Sequence, residues 1–284
     1  MGQVLVSVSR IGRLVVVTAA ALASGGAGGI SAEVSNTSGG ISGTERSTYY
    51  RAVEICKQVR KAPMALDLDS RVLCFDGPIM PGLNLSAAHR LQRHGIFVMR
   101  SPGGEIGVAM ELAQLLGERQ ATVVVDEYCL SACASFILTA SEKTFVTKDT
   151  LVAWHHPVSE YLCPMLREAA DNGPRRLEKR PCANAPAEYR RFNADLANRI
   201  LAYFHKRAST RSYEHPPQSV VVRRLLQSRF GGQGHYPDRL MWTWHPRYYA
   251  NMLKTKVVYE AYPETQEEAD ALARRHGIDL VYDP

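Results

Sequence analysis

The chain has 284 residues, of which 45% are apolar and 22% charged, and its formal net charge at pH 7 is +6. This composition is ordinary for a globular protein and excludes wholesale disorder, while the length allows one α/β domain with appendages or two small domains. The basic excess is small and no stripe of cations is interleaved with aromatic residues, so nucleic acid is not indicated as a partner. The sequence has no C-x-x-C pair and no His/Cys cluster at zinc-ligand spacing, and we predict neither a metal nor another cofactor.

The first residues have the pattern of an export signal. Arg10 and Arg13 precede an apolar run at residues 14–22, and residues 21–23 form an A-x-A cleavage site. Because the run is shorter than the ~20 residues that span a bilayer, we predict a cleaved signal peptide at residues 1–23 and export, most readily to the periplasm. A membrane anchor formed by an uncleaved N-terminus is the alternative. Cleavage removes two cations and no acid, which lowers the net charge from +6 to +4.

The rest of the chain alternates between two hydrophobic patterns. Residues 24–47 are rich in Gly, Ser, Ala and Thr and are predicted to form a flexible linker. The nearly continuous apolar run at 121–125 is typical of a strand buried on both faces of a parallel sheet. Strands alternating with helices predict an α/β fold with parallel crossovers, flanked by helices. The predicted helices are residues 48–60, 106–116, 131–138, 188–204 and 265–277, and the predicted strands are 95–100, 121–125, 144–146, 151–154 and 280–282.

Three polar segments fall where predicted strands end, which is the edge at which parallel sheets collect their sites. They are the Ser-Pro-Gly-Gly turn at residues 101–104, Ser131 at the start of a helix, and His155 after the strand at 151–154. Acyl transfer needs a nucleophile, a base that takes its proton, and N–H donors for the oxyanion. The pattern predicts Ser131 as nucleophile, His155 or its neighbour His156 as base, and the backbone N–H groups of Gly104 and Ala132 as the donors.

Each segment also has a structural interpretation when it is taken alone. Ser131 is a good helix cap, Ser-Pro-Gly-Gly is an ordinary turn, and His155 with its neighbour His156 is a common surface or core pair. A Ser/Lys arrangement, in which Lys143 or Lys148 replaces the histidine, is a further variant. The catalytic interpretation therefore depends on the order and spacing of the segments together.

That order and spacing resemble the proteolytic subunit of Clp protease (ClpP). Members of that family carry a Ser-Pro-Gly-Gly oxyanion turn, a serine at the start of a helix of small residues, and an apolar-His-x-Pro motif. Here Gly104 lies 27 residues before Ser131, which lies 24 residues before His155, and Pro157 selects His155 over His156. The resemblance implies a ClpP/crotonase-like sheet of repeated ββα-type units at residues 48–284, and a serine hydrolase, most readily a peptidase acting on peptides or proteins.

The resemblance also implies an acid that orients the histidine. Asp238, in a segment Asp-Arg-Leu-Met, matches the family's Asp-Arg-apolar-apolar pattern and would complete a Ser-His-Asp triad. The 83 residues between His155 and Asp238 exceed the family spacing, with extra chain predicted around 158–187 and 206–236. Asp195, on a predicted helix, competes for the role. Where the family has a methionine after the serine, this chain has Ala132, which keeps the N–H but not the side chain.

Two other functions remain open at this stage. A crotonase-like protein would use the same oxyanion turn for acyl-CoA chemistry, and a binding or scaffold protein of the cell envelope would have an inactive site. Six cysteines in an exported chain predict disulfides; a Cys129–Cys133 bond would hold the serine turn rigid or lock it in an inactive shape. Export argues against an ATPase partner. Homo-oligomeric rings are common for this fold, but no segment indicates an interface.

Overall fold

A computed structural model describes residues 41–59, 63–155, 187–209, 215–231 and 240–284. The chain divides into Met1–Asn36 and Thr37–Pro284. Every described residue belongs to the second part. The predicted signal peptide at residues 1–23 lies in the first part, outside the described residues. No helix in the described part is both long enough and apolar enough to cross a membrane.

The described residues contain nine strands, seven α-helices and two helical turns of other types. The strands are β1 (Met64–Leu66), β2 (Val72–Asp76), β3 (Ile96–Ser101), β4 (Thr122–Leu130), β5 (Lys143–Val146), β6 (Leu151–Ala153), β7 (Leu240–Trp244), β8 (Lys256–Tyr259) and β9 (Asp279–Asp283). The α-helices are α1 (Gly43–Gln58), α2 (Ser86–Arg90), α3 (Ile106–Glu118), α4 (Ala187–Arg207), α5 (Val220–Phe230), α6 (Tyr249–Met252) and α7 (Gln266–Arg274). A π-helical turn spans Cys133–Ile137, and a 3₁₀ turn spans Pro246–Tyr248.

The central sheet has the order β1-β2-β3-β4-β5-β8. Strand β5 pairs with the first half of β4, and β6 pairs with its second half. Every neighbouring pair is parallel except β1 with β2. The predicted α/β fold with a mostly parallel sheet flanked by helices is therefore confirmed. Within β4, Glu127 has a φ of 62°, and the register with β3 shifts between Met99 and Ser101. This irregularity separates the part of β4 that pairs with β5 from the part that pairs with β6 and leads to Ser131.

Apolar side chains cover both faces of the sheet because neighbouring strand residues point in opposite directions. Val123 and Val125 belong to a core cluster with α3, the π-helical turn and α4, whereas Val124 packs with the cluster under α1. All three valines are fully buried. The continuous apolar run of β4 is thus explained by helices on both sides of it.

A second, two-stranded parallel sheet joins β7 to β9. It meets the first sheet where Trp154, which follows β6, pairs with Trp242 of β7 through two backbone hydrogen bonds of 2.9 and 2.8 Å. The outer edge of β9 is covered by the side chain of Gln266, which accepts from the Tyr282 N–H and donates to the Leu280 carbonyl. The Gln266 amide thus satisfies backbone groups that an exposed edge strand would leave unpaired.

Several element boundaries differ from those expected from the sequence. Helix α1 begins at Gly43, not residue 48, because Ser42 and Glu45 form a capping box; the last residues of the predicted linker are therefore helical. Helix α3 extends to Glu118, two residues beyond the predicted end at 116. Strands β1, β2, β7 and β8 were not predicted, and the chain around 206–236 contains helix α5. Most of the extra chain predicted at 158–187 lies outside the described residues.

Candidate active site

Ser131 is held where β4 turns into the π-helical segment. Its N–H donates to the Ala153 carbonyl of β6 over 3.0 Å, and its own carbonyl accepts from the Ser135 N–H over 2.9 Å. The φ of Ser131 is 55°, a left-handed conformation that a residue with a Cβ adopts rarely and at a cost of about 1–3 kcal/mol. Such a conformation persists only where the surroundings fix it, and it is typical of a side chain aimed by a sharp turn at a functional site.

His155 reaches Ser131 from the neighbouring strand. It follows Trp154 at the carboxyl end of β6, which pairs in parallel with β4. The His155 Nε2 lies 2.7 Å from the Ser131 Oγ, and both residues are half-buried. This distance lies within the range over which a base takes a hydroxyl proton. When the serine donates, Nε2 is the unprotonated nitrogen and Nδ1 carries the ring proton.

The turn after β3 is tied to the segment 77–84 and to the serine turn. The Gly103 carbonyl accepts from the Ile79 N–H, and the Glu105 N–H donates to the Ile79 carbonyl, both over 2.8 Å. These bonds flank Gly104, and neither uses its own N–H. The φ of Gly104 is 142°, and a Cβ on it would overlap the Ile79 carbonyl oxygen, so the position requires glycine.

Gly103 brings the two turns together. Its φ is 89°, and a Cβ added to it would stand 2.8 Å from both the Ser131 Cβ and the Ala132 N. The lack of a side chain therefore allows the glycine turn to lie directly against Ser131 and the amide that follows it. Sequence reasoning did not assign Gly103 this role, although its position in the Gly-Gly pair was the signal.

The remaining predicted site residues have different outcomes. Ala132 is buried and directly precedes the π-helical turn. Asp238 lies outside the described residues, which resume at Leu240, the first residue of β7. Asp195 lies on α4 and is exposed to solvent. Lys143 pairs with Glu45 on α1 over 2.5 Å, so the hydroxyl of Ser131 contacts a histidine and not this lysine.

Two disulfides lie in the described part of the chain. One joins Cys56 of α1 to Cys74 of β2, and the other joins Cys129 to Cys133 on either side of Ser131. The remaining cysteines, Cys163 and Cys182, lie outside the described residues. Among the described residues, no group of three or more His, Cys, Asp or Glu side chains is arranged to hold a metal ion.

Comparisons with known proteins do not assign the chain to a family. No protein-family model matches the sequence, and no curated protein matches it significantly. The case for a function therefore rests on the geometry of this chain's own residues.

Proposed function

We propose that the chain is an exported serine hydrolase with a ClpP/crotonase-like fold, and that its natural substrates are peptides or proteins. The observation that carries the proposal is the 2.7 Å contact between the Ser131 Oγ and the His155 Nε2. The contact is made at the carboxyl ends of two paired parallel strands, and the serine is held in a rare backbone conformation. A serine that only capped a helix would need neither the histidine nor that conformation.

The chemistry follows from this pair. Ser131 Oγ attacks the carbonyl carbon of the substrate while its proton passes to His155 Nε2. The carbonyl oxygen becomes negatively charged, and the backbone N–H groups of Gly104 and Ala132 stabilise it. Nε2 then returns the proton to the leaving amine or alcohol, which departs and leaves an acyl group on Ser131. Water, activated by the same nitrogen, releases the acid and restores the serine.

Asp238 is the acid that we propose to orient His155. Strand β7 begins two residues after it, and Trp242 of β7 pairs with Trp154, the residue before His155. The chain that follows Asp238 therefore lies beside the strand that carries the histidine. Asp195 suits the role less well because a triad carboxylate is shielded from water, whereas Asp195 is exposed.

The two disulfides support an exported protein, since such bonds persist in oxidising compartments such as the periplasm. Export also separates the chain from cytosolic ATP, and we propose that it acts without an ATPase partner. The order of the glycine turn after β3, the serine after β4 and the histidine after β6 supports the ClpP-like assignment.

The test is covalent labelling of the full chain with a fluorophosphonate probe. We expect the wild type to gain the mass of one phosphonyl group on Ser131, and Ser131→Ala to gain none. Replacement of the general base in His155→Ala should slow labelling by about 10³-fold or more. Ser228→Ala, which removes an exposed hydroxyl on α5, is the matched control and should label like the wild type.

Ester and peptide turnover in the same four proteins completes the test. Equal turnover in the wild type and Ser131→Ala, with no labelling of the wild type, would overturn the proposal and leave the scaffold interpretation. Thermal stabilisation by acyl-CoA esters, without labelling of the serine, would favour the crotonase-like chemistry instead.

A further inference from the structure

The Cys129–Cys133 disulfide encloses the nucleophile. Cys129 is the last but one residue of β4, and Cys133 is the first residue of the π-helical turn. Both are fully buried, and between them lie only Leu130, Ser131 and Ala132. The bond thus joins the strand that enters the serine turn directly to the helical segment that leaves it.

The serine turn needs such a restraint because it is intrinsically unfavourable. Ser131 retains a Cβ in a left-handed conformation, which a glycine would adopt without cost, but a glycine would lack the hydroxyl. Its N–H bond to Ala153 ties it to β6, and its carbonyl bond to Ser135 ties it to the helical segment. Neither hydrogen bond fixes the distance between the end of β4 and the helical segment. The disulfide does, since it holds the Cα atoms of Cys129 and Cys133 5.3 Å apart.

The size of the loop indicates that this bond acts locally. A disulfide stabilises a fold mainly by restricting the unfolded chain, and the effect grows with the number of residues in the closed loop. Residues 129–133 make a loop of five, whereas Cys56 and Cys74 close a loop of 19 residues. On that basis the short loop contributes less to global stability than the long one.

We propose that the Cys129–Cys133 disulfide is a positioning element for catalysis: it holds Ser131 in the left-handed conformation that places its Oγ on His155. This inference rests on the proposed hydrolase function. Its consequence is that one disulfide matters more for the reactivity of Ser131 and the other more for the stability of the fold. Loss of Cys129–Cys133 slows the reaction of Ser131 more than it lowers stability, and loss of Cys56–Cys74 does the reverse.

The experiment compares Cys129→Ala/Cys133→Ala with Cys56→Ala/Cys74→Ala in the full chain. The rate of fluorophosphonate labelling, kcat and KM for an ester, and the Tm are measured for each protein. We expect the first variant to label about 10- to 100-fold more slowly, with kcat reduced and KM nearly unchanged, because a misplacement of about 1 Å costs up to that factor. The second variant should label within about twofold of the wild type although its Tm falls further.

The outcomes separate the two claims. A wild type that does not label contradicts the hydrolase function itself. If the wild type labels and Cys129→Ala/Cys133→Ala labels as fast or faster, the positioning role is wrong, and faster labelling would mean that the bond restrains an inactive shape. The positioning role would also be wrong if the labelling rate fell in proportion to the Tm, by the same relation in both variants.

A measurement on the wild type covers the case in which the first variant does not fold. The native protein is incubated with a phosphine reductant. Samples taken over time are alkylated, digested and analysed by mass spectrometry to follow the reduction of each disulfide. We expect loss of Ser131 labelling to follow reduction of Cys129–Cys133. Inactivation that follows Cys56–Cys74, or labelling that survives complete reduction of Cys129–Cys133, would overturn the proposal.

Discussion

Two polar clusters lie near the carboxyl ends of β2, β3 and β4, and their construction differs. In the first, which we term the ion-pair cluster, the Arg100 guanidinium of β3 contacts the carboxylates of Asp76 and Glu127. In the second, the hydroxyl of Ser131 meets the imidazole of His155. Each cluster includes a residue of β4 or its end with a positive φ, 62° for Glu127 and 55° for Ser131.

The difference lies in what each cluster leaves available for chemistry. The Arg100 charge is matched by two acids whose side chains are 46% and 50% exposed, so the contacts tie neighbouring strand ends together and contribute little energy. In the second cluster a hydroxyl contacts an imidazole, and the glycine turn, a strained backbone and a disulfide hold the serine in place. Because Glu127 also has a positive φ, backbone strain does not separate the two clusters. The hydroxyl–imidazole contact does, since that arrangement can activate a nucleophile whereas an ion pair cannot.

The largest effect that would test this comparison comes from the glycine turn. Gly104→Ala places a Cβ on the Ile79 carbonyl oxygen, which must move the Gly104 N–H away from the oxyanion. We expect Ser131 labelling and ester turnover to fall about 10²-fold, the usual loss for one oxyanion donor. Gly77→Ala is the matched control: Gly77 also has a positive φ, 126°, but a Cβ there meets nothing within 4 Å. Equal activity of the two variants would argue against a role for Gly104.

A smaller effect is expected from the ion-pair cluster. Arg100→Met keeps most of the apolar stem but leaves Asp76 and Glu127 without their cation. Because these acids are half-exposed, the free energy of unfolding should fall by no more than about 1 kcal/mol, as read from denaturant titration. Lys57→Met, which breaks an exposed pair with Glu54, is the control and should have a still smaller effect. A large drop in Ser131 labelling in Arg100→Met would mean that the two clusters are coupled.

The smallest expected effect is a change in pH dependence at Asp126, the neighbour of Glu127. Burial raises the pKa of Asp126, and the hydrogen bond from the Thr147 hydroxyl opposes that shift. The folded state therefore binds its proton more tightly than the unfolded state, so this group's contribution to stability is present below its unfolded pKa and is lost as pH rises through the folded pKa. Asp126→Asn keeps an acceptor for Thr147 and does not titrate.

We expect Asp126→Asn to be slightly more stable than the wild type at pH 7 and to lose that advantage as the pH is lowered towards 4. Denaturant titrations at several pH values measure the difference. A variant that is less stable than the wild type at pH 7 would contradict this interpretation. Labelling of Ser131 should be the same in both proteins, because Asp126 adjoins Glu127 of the ion-pair cluster and is not part of the Ser131–His155 pair.

The fold could be predicted in part because its central elements have local signals. The apolar run of β4, the helical face of α3 and the polar segments at the strand ends all lie between residues 95 and 155. Strands β1, β2, β7 and β8 were missed because short strands of three to five residues have little pattern of their own and form through pairing with distant partners. Helix α1 started earlier than composition suggested because one capping box outweighed the Gly/Ser-rich character of the segment.

By itself, the sequence determined the order of the chemical groups: a glycine turn, then a serine, then a histidine, each at the end of a predicted strand. Spacing along the chain, matched to the ClpP pattern, selected Ser131 and His155 as the predicted pair. Only the tertiary structure decided that their Oγ and Nε2 atoms lie 2.7 Å apart, that Gly103 lies against the serine turn, and that Cys129 pairs with Cys133. These features depend on the parallel pairing of β4 with β3 and β6, strands that are separated in sequence and meet only when the sheet forms.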